Sequence, residues 1–347
     1  MIGFAFRLFG QDSKETFIIS GLVRYDAYFD TYESYTSRNG DVYLYPKRAQ
    51  YDPLGKNLNR YNQLNMFGYD SKLNLRVDGY EILGAKTFGF TEIDFEGRAD
   101  GHENSPRLRH AYITLEWSKT KARIGQYWHT LFVTECYPEV LVAGAGAPFN
   151  PFNRSTQFGI SHKISRNFEL SGVALTHFDM TSKAGVDALK NSAKPDFHTS
   201  MKFTSNRLKT GMVAGIRYQR PRIKTDAGYK TQKQIANFDI AAYANVMAGS
   251  FRFKIYGIYG QDLTPYVMLG GIGASQDPDV VDDFSYGNIN TIAIWSELVY
   301  KVNQITVGVF GGYTSNVSTS TKGFYISKSF VRNADIDYIY RLAPRVV

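Results

Sequence analysis

Cysteine occurs once in the 347 residues, at Cys136, so no intramolecular disulfide can form. A catalytic thiol would need a histidine partner. The six histidines, at 102, 110, 129, 162, 177 and 198, show neither that arrangement nor the ligand spacing of a zinc site. No run of eighteen or more apolar residues exists, and the mean hydropathy of −0.30 excludes a helical membrane protein. That test is blind to transmembrane barrels, whose strands alternate and need only about 9–11 residues each. Blocks of like charge are also missing. The net charge of +8 is spread over the whole length, with Lys and Arg usually near Asp or Glu, which argues against a nucleic-acid partner. No cofactor and no metal are expected.

What the chain has in quantity is tyrosine (25), phenylalanine (24) and glycine (31), a composition suited to strands and turns. Apolar and polar residues alternate in segment after segment. In 17–30, Phe17, Ile19, Gly21, Val23, Tyr25, Ala27 and Phe29 share one face, and Ser20, Arg24, Asp26 and Asp30 the other. In 72–78, Leu73, Leu75 and Val77 oppose Lys72, Asn74, Arg76 and Asp78. Ile93 and Phe95 oppose Glu92, Asp94, Glu96 and Arg98. Segments 238–246, 250–257 and 304–310 repeat the pattern. Successive strand residues point to opposite faces, so each segment has a greasy face and a polar one. In a soluble sandwich the greasy face meets a second sheet; in an outer-membrane barrel it meets lipid and the charges line a lumen.

The connections favour the barrel. Short links near 83–86, 118–121, 165–167, 205–207, 248–249 and 302–303 alternate with longer ones at 31–65, 99–106, 132–154, 179–195, 221–232, 263–288 and 316–335. An up-and-down meander whose two ends face different surroundings has this rhythm, and a Greek-key sandwich has no reason to keep it. Aromatics gather near strand ends, as interface girdles do. About fourteen strands are expected, the last being 337–347. Residues 31–65 read as a polar, Tyr-rich loop. Residues 132–154 mix Pro and Gly with Val140, Leu141, Val142, Phe149 and Phe152, too broken for a strand and too apolar for a solvated excursion. The segment either folds into a barrel and narrows it or caps one end of a sandwich. Residues 1–10, MIGFAFRLFG, read as the remnant of a secretory signal with a cut at Gln11, or as a hydrophobic first strand. Residues 11–347 then form a single domain that stops before its last strands.

The stretch SGLVRYDAYFDT (20–31), then VDGYE, GFTEIDFEG, RLRHAYITLEW, IGQYW, PFNPF and the closing IDYIYRLAPRVV resemble DcaP-like outer-membrane porins in the form found in the Bacteroidetes. The resemblance implies a homotrimer of 16-stranded antiparallel up-and-down β-barrels, each with an inward-folded third loop, here 132–154. It implies a bacterial outer-membrane location, lipid as surroundings, and passive diffusion of small anionic solutes of the dicarboxylate kind. The candidate pore-lining basic residues are Arg24, Lys72, Arg76, Arg107, Arg109 and Arg123, and the acidic ones Asp26, Glu92, Asp94 and Glu96. The candidate constriction residues are Tyr137, Glu139, Phe149, Asn150, Phe152 and Asn153. Arg107 and Arg109 share parity with Ala111 and Ile113, so their strand must change faces, as at a bulge. The competing readings are salt-bridge ladders that only stiffen a wall, a barrel phospholipase, and a soluble or surface-displayed β-rich binding protein. The phospholipase would need a Ser–His pair, and the neighbours Ser161 and His162 must point apart on a strand.

Overall fold

Alternating segments become antiparallel strands here, nearly all paired with a near neighbour in sequence, in a computed structural model. It describes residues 2–9 as backbone, and 16–37, 40, 42–97, 99–141, 144, 146–276, 284–320 and 329–347 in full. Gln11, Arg98 and Val142 lie outside the described residues. The chain divides into two compact units, one comprising Met1–Trp117, Gly125–Tyr127 and Val142–Gly144, the other Ser118–Ile124, Trp128–Leu141 and Ala145–Val347.

The first unit holds β1 (Ile2–Phe9), β2 (Thr16–Val23), β3 (Asp26–Asp30), β4 (Ser34–Ser37), β5 (Val42–Pro46), β6 (Gln63–Phe67), β7 (Lys72–Asp78), β8 (Lys86–Asp94) and β9 (Arg107–Glu116). Strands β1, β2, β7, β8 and β9 pair in that order. The segment expected as a signal remnant thus lies in β1, registered from Ile2 opposite Val23 to Phe9 opposite Thr16. The strand expected over 17–30 divides at Arg24. Its backbone N–H donates to Ser71 Oγ at 3.1 Å instead of a ladder carbonyl, and β3 continues in a separate pair with β6. The expected loop 31–65 is not irregular throughout: β4 and β5 pair within it, with the Tyr35 and Tyr45 rings 5.3 Å apart. Short aromatic segments held by cross-strand pairs escape a reading that looks for long alternation.

Strand β10 (Thr120–Trp128) contributes residues to both units. The second unit continues with β11 (Arg154–Lys163), β12 (Phe168–His177), the short helix α1 (Val186–Lys190), β13 (Asp196–Thr204), β14 (Leu208–Gln219), β15 (Ile235–Ala248) and β16 (Phe251–Gln261). There follow β17 (Gly271–Gln276), β18 (Phe284–Val302), β19 (Ile305–Thr319), β20 (Phe330–Val331) and β21 (Tyr338–Val346). Each strand from β11 to β16 pairs with the next, β16 with β18, β18 with β19, and β19 with β21. Among the described residues seventeen strands belong to the main sheet, against about fourteen expected. The difference includes β1, whose residues do not alternate, and β17 and β20, which lie inside connections too rich in Gly, Ser and Asp to read as strands. Short and long links alternate as the sequence rhythm indicated.

The polarity of the sheet is inverted. Along β15 the buried residues include Asn237, Asp239 and Asn245, while Phe238, Ile240 and Val246 are exposed. Phe251, Phe253, Leu298, Val307 and Val309 are likewise exposed, while Lys254 and Glu297, from the same strands as the first three, are buried. In water this arrangement would leave a large apolar surface unpaired. In a bilayer it is the stable one. Arginine in place of Ile240 is expected to lower stability in lipid vesicles by roughly 2–4 kcal/mol if that face lies near the midplane. Urea titration of vesicle-refolded protein measures this; a change under about 0.5 kcal/mol, the usual cost of a surface substitution in water, speaks for a soluble sheet.

Candidate functional site

In the first unit the buried face gathers the charges of β7, β8 and β9. The change of face expected on β9 is present: the ladder with β8 shifts register where His110 pairs with Glu92 and Leu108 with Ile93, leaving Arg109 extra. A bulge of this kind lets Arg107, Arg109 and His110 all be buried while Leu108 and Ile113 stay exposed. Arg107 Nη2 lies 2.5 Å from Asp94 and 2.6 Å from Glu96. Arg109 Nε lies 2.6 Å from Glu92, and its Nη1 2.7 Å from Asp94. Arg24 reaches Asp26 and Asp70, each at 2.8 Å, and Lys72 reaches Asp70 at 2.9 Å. Asp70 lies in the turn before β7, and burial raises its pKa against the pull of Lys72. Four cations thus face five carboxylates, so this cluster carries no surplus positive charge. Its three closest carboxylates, Asp70, Asp94 and Glu96, could bring oxygens within 4.8 Å of one another, but arginines already occupy the space between them.

Arg76 is apart from this cluster. It pairs with Asp78 at 2.7 Å and lies 3.9 Å over the Phe88 ring, near the short β7–β8 link. Arg123 is half-buried on β10, in the part assigned to the second unit. Ser161 and His162 project to opposite faces of β11, and His162 Nδ1 is 2.9 Å from Thr120 Oγ1.

The second unit builds its own charged face around the connection 129–153, which ends one residue before the expected 154 because Arg154 opens β11. Lys254 on β16 stands directly opposite Glu297 on β18, at 3.0 Å, and both are almost fully buried. Arg345 on β21 also contacts Glu297, and reaches Glu139 of the connection at 3.0 Å. Glu139 takes Lys254 at 2.7 Å and Arg252 as well, and its backbone N–H donates to Glu297 at 3.1 Å. Burial works to raise the Glu139 pKa, but Lys254 and Arg252 hold it below the usual carboxylate value. Three cations here answer two carboxylates.

The same connection is pinned along its length. Tyr256 donates to the Leu131 carbonyl at 3.0 Å, Asn245 to that of Glu135 at 2.6 Å, and Arg341 to that of Ala147 at 2.9 Å. Trp295 Nε1 donates to Asn150 Oδ1 at 3.0 Å. Phe149 is fully buried against Phe310, and Gly312 makes room for it, since a Cβ there would lie 2.6 Å from the ring. Phe152 and Asn153 are buried; Asn153 donates to the Met180 and Pro265 carbonyls, each at 3.0 Å. Tyr137 remains exposed and lies 5.6 Å from the Lys254 ammonium. Cys136 is buried, which pushes its thiol pKa up to about 12 and makes it unreactive.

At the root of the connection three imidazoles meet. The His129 ring centroid is 4.7 Å from that of His198, 5.1 Å from His177 and 4.6 Å from the Tyr266 ring. His177 bonds Asp196 at 2.6 Å and Asn153 at 2.8 Å; His198 faces Asp239, and Arg217 donates to Tyr266 at 2.8 Å. The sequence reading passed over Lys254, Glu297, Arg345, Asp70 and this histidine group. Lys254 was visible as the polar face of its strand; the histidines, 21 to 69 residues apart, carried no local signal.

No protein-family model matches the sequence, and no curated protein matches it. Among solved structures, the chain is similar to the outer membrane channel DcaP of Acinetobacter baumannii, at 15% identity, with 91% of this chain and 83% of that one covered and a TM-score of 0.64. It is also similar to in-vitro-folded OmpT, an outer membrane protein of Vibrio cholerae, at 10% identity, 88% and 77% coverage and a TM-score of 0.53. The loop L8 deletion mutant of that protein gives 10% identity, 87% and 82% coverage and 0.52. These likenesses show the fold alone: an all-β, antiparallel up-and-down sheet like that of these outer-membrane proteins.

The His129 environment makes a pH prediction. Burial, then the neighbouring His198, His177 and Arg217, push its pKa well below 6.5, so it is neutral when docked. As pH falls through about 6.5 the undocked segment takes up a proton first, and docking loses stability progressively. Amide protection within 129–141, measured against the intrinsic exchange rate at each pH, is expected to fall from pH 8 to pH 5, and less so in His129→Gln. Equal pH dependence in both proteins would remove His129 from the account.

Proposed function

We propose that this chain is a porin of a bacterial outer membrane, providing passive diffusion for small hydrophilic solutes, with a preference for anions such as dicarboxylates. The observation that carries the reading is the docking of residues 129–153 by buried hydrogen bonds and ion pairs on the polar face of a sheet whose other face is apolar. A connection held this way narrows a water-filled passage without closing it. The exposed wall belongs to lipid, and aromatic and aliphatic residues along it suit that solvent. Such a passage performs no reaction and needs no cofactor.

The anion preference is assigned to the second unit. The charges around Arg24 and Arg109 neutralise one another and act as a stiffening ladder. Around the connection, Arg252, Lys254 and Arg345 exceed Glu139 and Glu297 by one positive charge. Fixed charge in a narrow, low-dielectric passage concentrates ions of opposite sign. Of these groups Arg252 is the most exposed, so it is best placed to meet a passing solute. Assembly as a homotrimer completes the reading. It is supported by the exposed apolar row of Tyr25, Phe29, Leu64 and Met66 on β3 and β6 and the residue before them, which gains from a covering copy.

Planar-bilayer recording tests the assignment. Deleting 139–150 is expected to raise single-channel conductance while heat-modifiable migration shows that the barrel still assembles. In a salt gradient the parent's reversal potential should report anion preference, and Arg252→Gln should move it toward zero. Unchanged conductance in a folded deletion variant removes the constriction, and cation preference in the parent removes the anion assignment.

A further inference from the structure

Strand register sets out the cations around the connection. Across the ladders Arg252 of β16 stands opposite Val299 of β18, Val299 opposite Gly308 of β19, and Gly308 opposite Arg345 of β21. Side chains in one such row share a face, so Arg252 and Arg345 project from the same side with only a valine and a glycine between them. Gly308 keeps that space open: a Cβ there would lie 2.9 Å from Arg345 Cζ. Without one, the guanidinium lies across β19 and reaches Glu297. Lys254 stands in the next row, opposite Glu297. Three cations and one carboxylate are thus fixed by the sheet itself. Glu297 is fully buried and accepts from Lys254 on Oε2 and from Arg345 on Oε1.

Glu139 differs from Glu297: the connection delivers it, and a third of its side chain is exposed. Its Oε1 accepts from Arg252 Nη1 and, at 2.7 Å, from Lys254 Nζ; its Oε2 accepts from Arg345 Nη2 at 3.0 Å. Its backbone N–H is held by Glu297, and Tyr256, Asn245 and Trp295 hold the connection on either side. Side-chain torsions alone can therefore lift the carboxylate away while the connection stays docked. A cleft of about 500 Å3 opens onto this point beside the β15–β16 and β18–β19 links, lined by Glu139, Arg252, Val299, Lys301 and Thr306. Lys301 is exposed, on the same face as Val299 and about 7 Å further along the strand. With Glu139 lifted, Arg252, Lys254 and Arg345 face Glu297 alone, a surplus of two positive charges.

We propose that Glu139 is the resident occupant of a carboxylate cradle, and that a small dicarboxylate crosses by taking its place. The proposal rests on the reading of residues 129–153 as the constriction of a porin. One carboxylate of the solute replaces that of Glu139 between Arg252 and Arg345, and the other meets Lys301. Exchange of one carboxylate for another keeps the cations paired throughout, so no buried charge is left uncompensated. The tethered Glu139, at high effective concentration, displaces the solute in turn. Binding is thereby kept weak enough for release, which conduction requires. Chloride has no pair of oxygens to span two guanidiniums, so it exchanges poorly with Glu139.

Bilayer recording of the full chain in potassium chloride, with succinate or acetate added, tests this. In Glu139→Gln the vacated cradle is expected to hold succinate, so the concentration that half-blocks the current falls at least tenfold. Acetate, with one carboxylate, should gain less. Glu139→Asp keeps the charge but is one methylene short of the two guanidiniums, and its block should fall between parent and Glu139→Gln. Adding Arg252→Gln to Glu139→Gln should restore the weak block of the parent. Heat-modifiable migration checks that each variant assembles. A Glu139 that is merely background negative charge gives the opposite result: its removal speeds succinate without lengthening its stay. That outcome overturns the proposal, as does equal succinate block in the parent and both Glu139 variants. A parent that inserts but does not conduct removes the channel reading itself, whereas a conducting parent whose block is indifferent to Glu139 removes the cradle alone.

Discussion

Lys254 and Glu297 occupy directly opposed positions on neighbouring strands, almost fully buried, where a soluble sheet would place two aliphatic side chains. Removing one member of such a pair leaves an uncompensated buried charge, at a cost of about 3–5 kcal/mol. The pair is stable because Arg345 and Glu139 extend it into a network, so that each carboxylate meets more than one cation. The same requirement runs through the first unit, where Arg107 and Arg109 are held by Asp94, Glu96 and Glu92. On β7, β8, β16 and β18 charge is confined to one face, and its neutralisation determines which side chains must converge.

The docked connection follows from this constraint. Glu139 is a member of the charge network, so residues 129–153 are fastened at their middle by electrostatics and elsewhere by hydrogen bonds to their carbonyls. Phe149 adds an apolar anchor in a space that exists only because residue 312 is glycine. Three kinds of interaction thus hold the segment against the polar face. At its root His129, kept neutral by burial, packs against His177, His198 and Tyr266.

The two faces of the sheet divide the functional readings. The polar face, with its balanced ladder in one unit and positive surplus in the other, bears on what passes through. The apolar face bears on what surrounds the chain. The charge ladder around Arg24 shows why a list of basic residues is a poor guide to selectivity: Asp70, in a turn between strands, cancels two of them.

By itself the sequence determined the long alternating strands and the rhythm of short and long links, because period-two patterning and turn residues are local properties of the chain. The change of face on β9 was also legible, since Arg107 and Arg109 could not share a face with Ile113 without an extra residue. That residues 132–154 form a long irregular connection was legible from their Pro- and Gly-broken content. Only the tertiary structure decided which charges neutralise which, because Lys254, Glu297, Arg345 and Glu139 are brought together from distant segments by strand register. It alone gathered His129, His177 and His198. Ion pairing and burial depend on distance in space, and that distance is set by the order and register of the ladders.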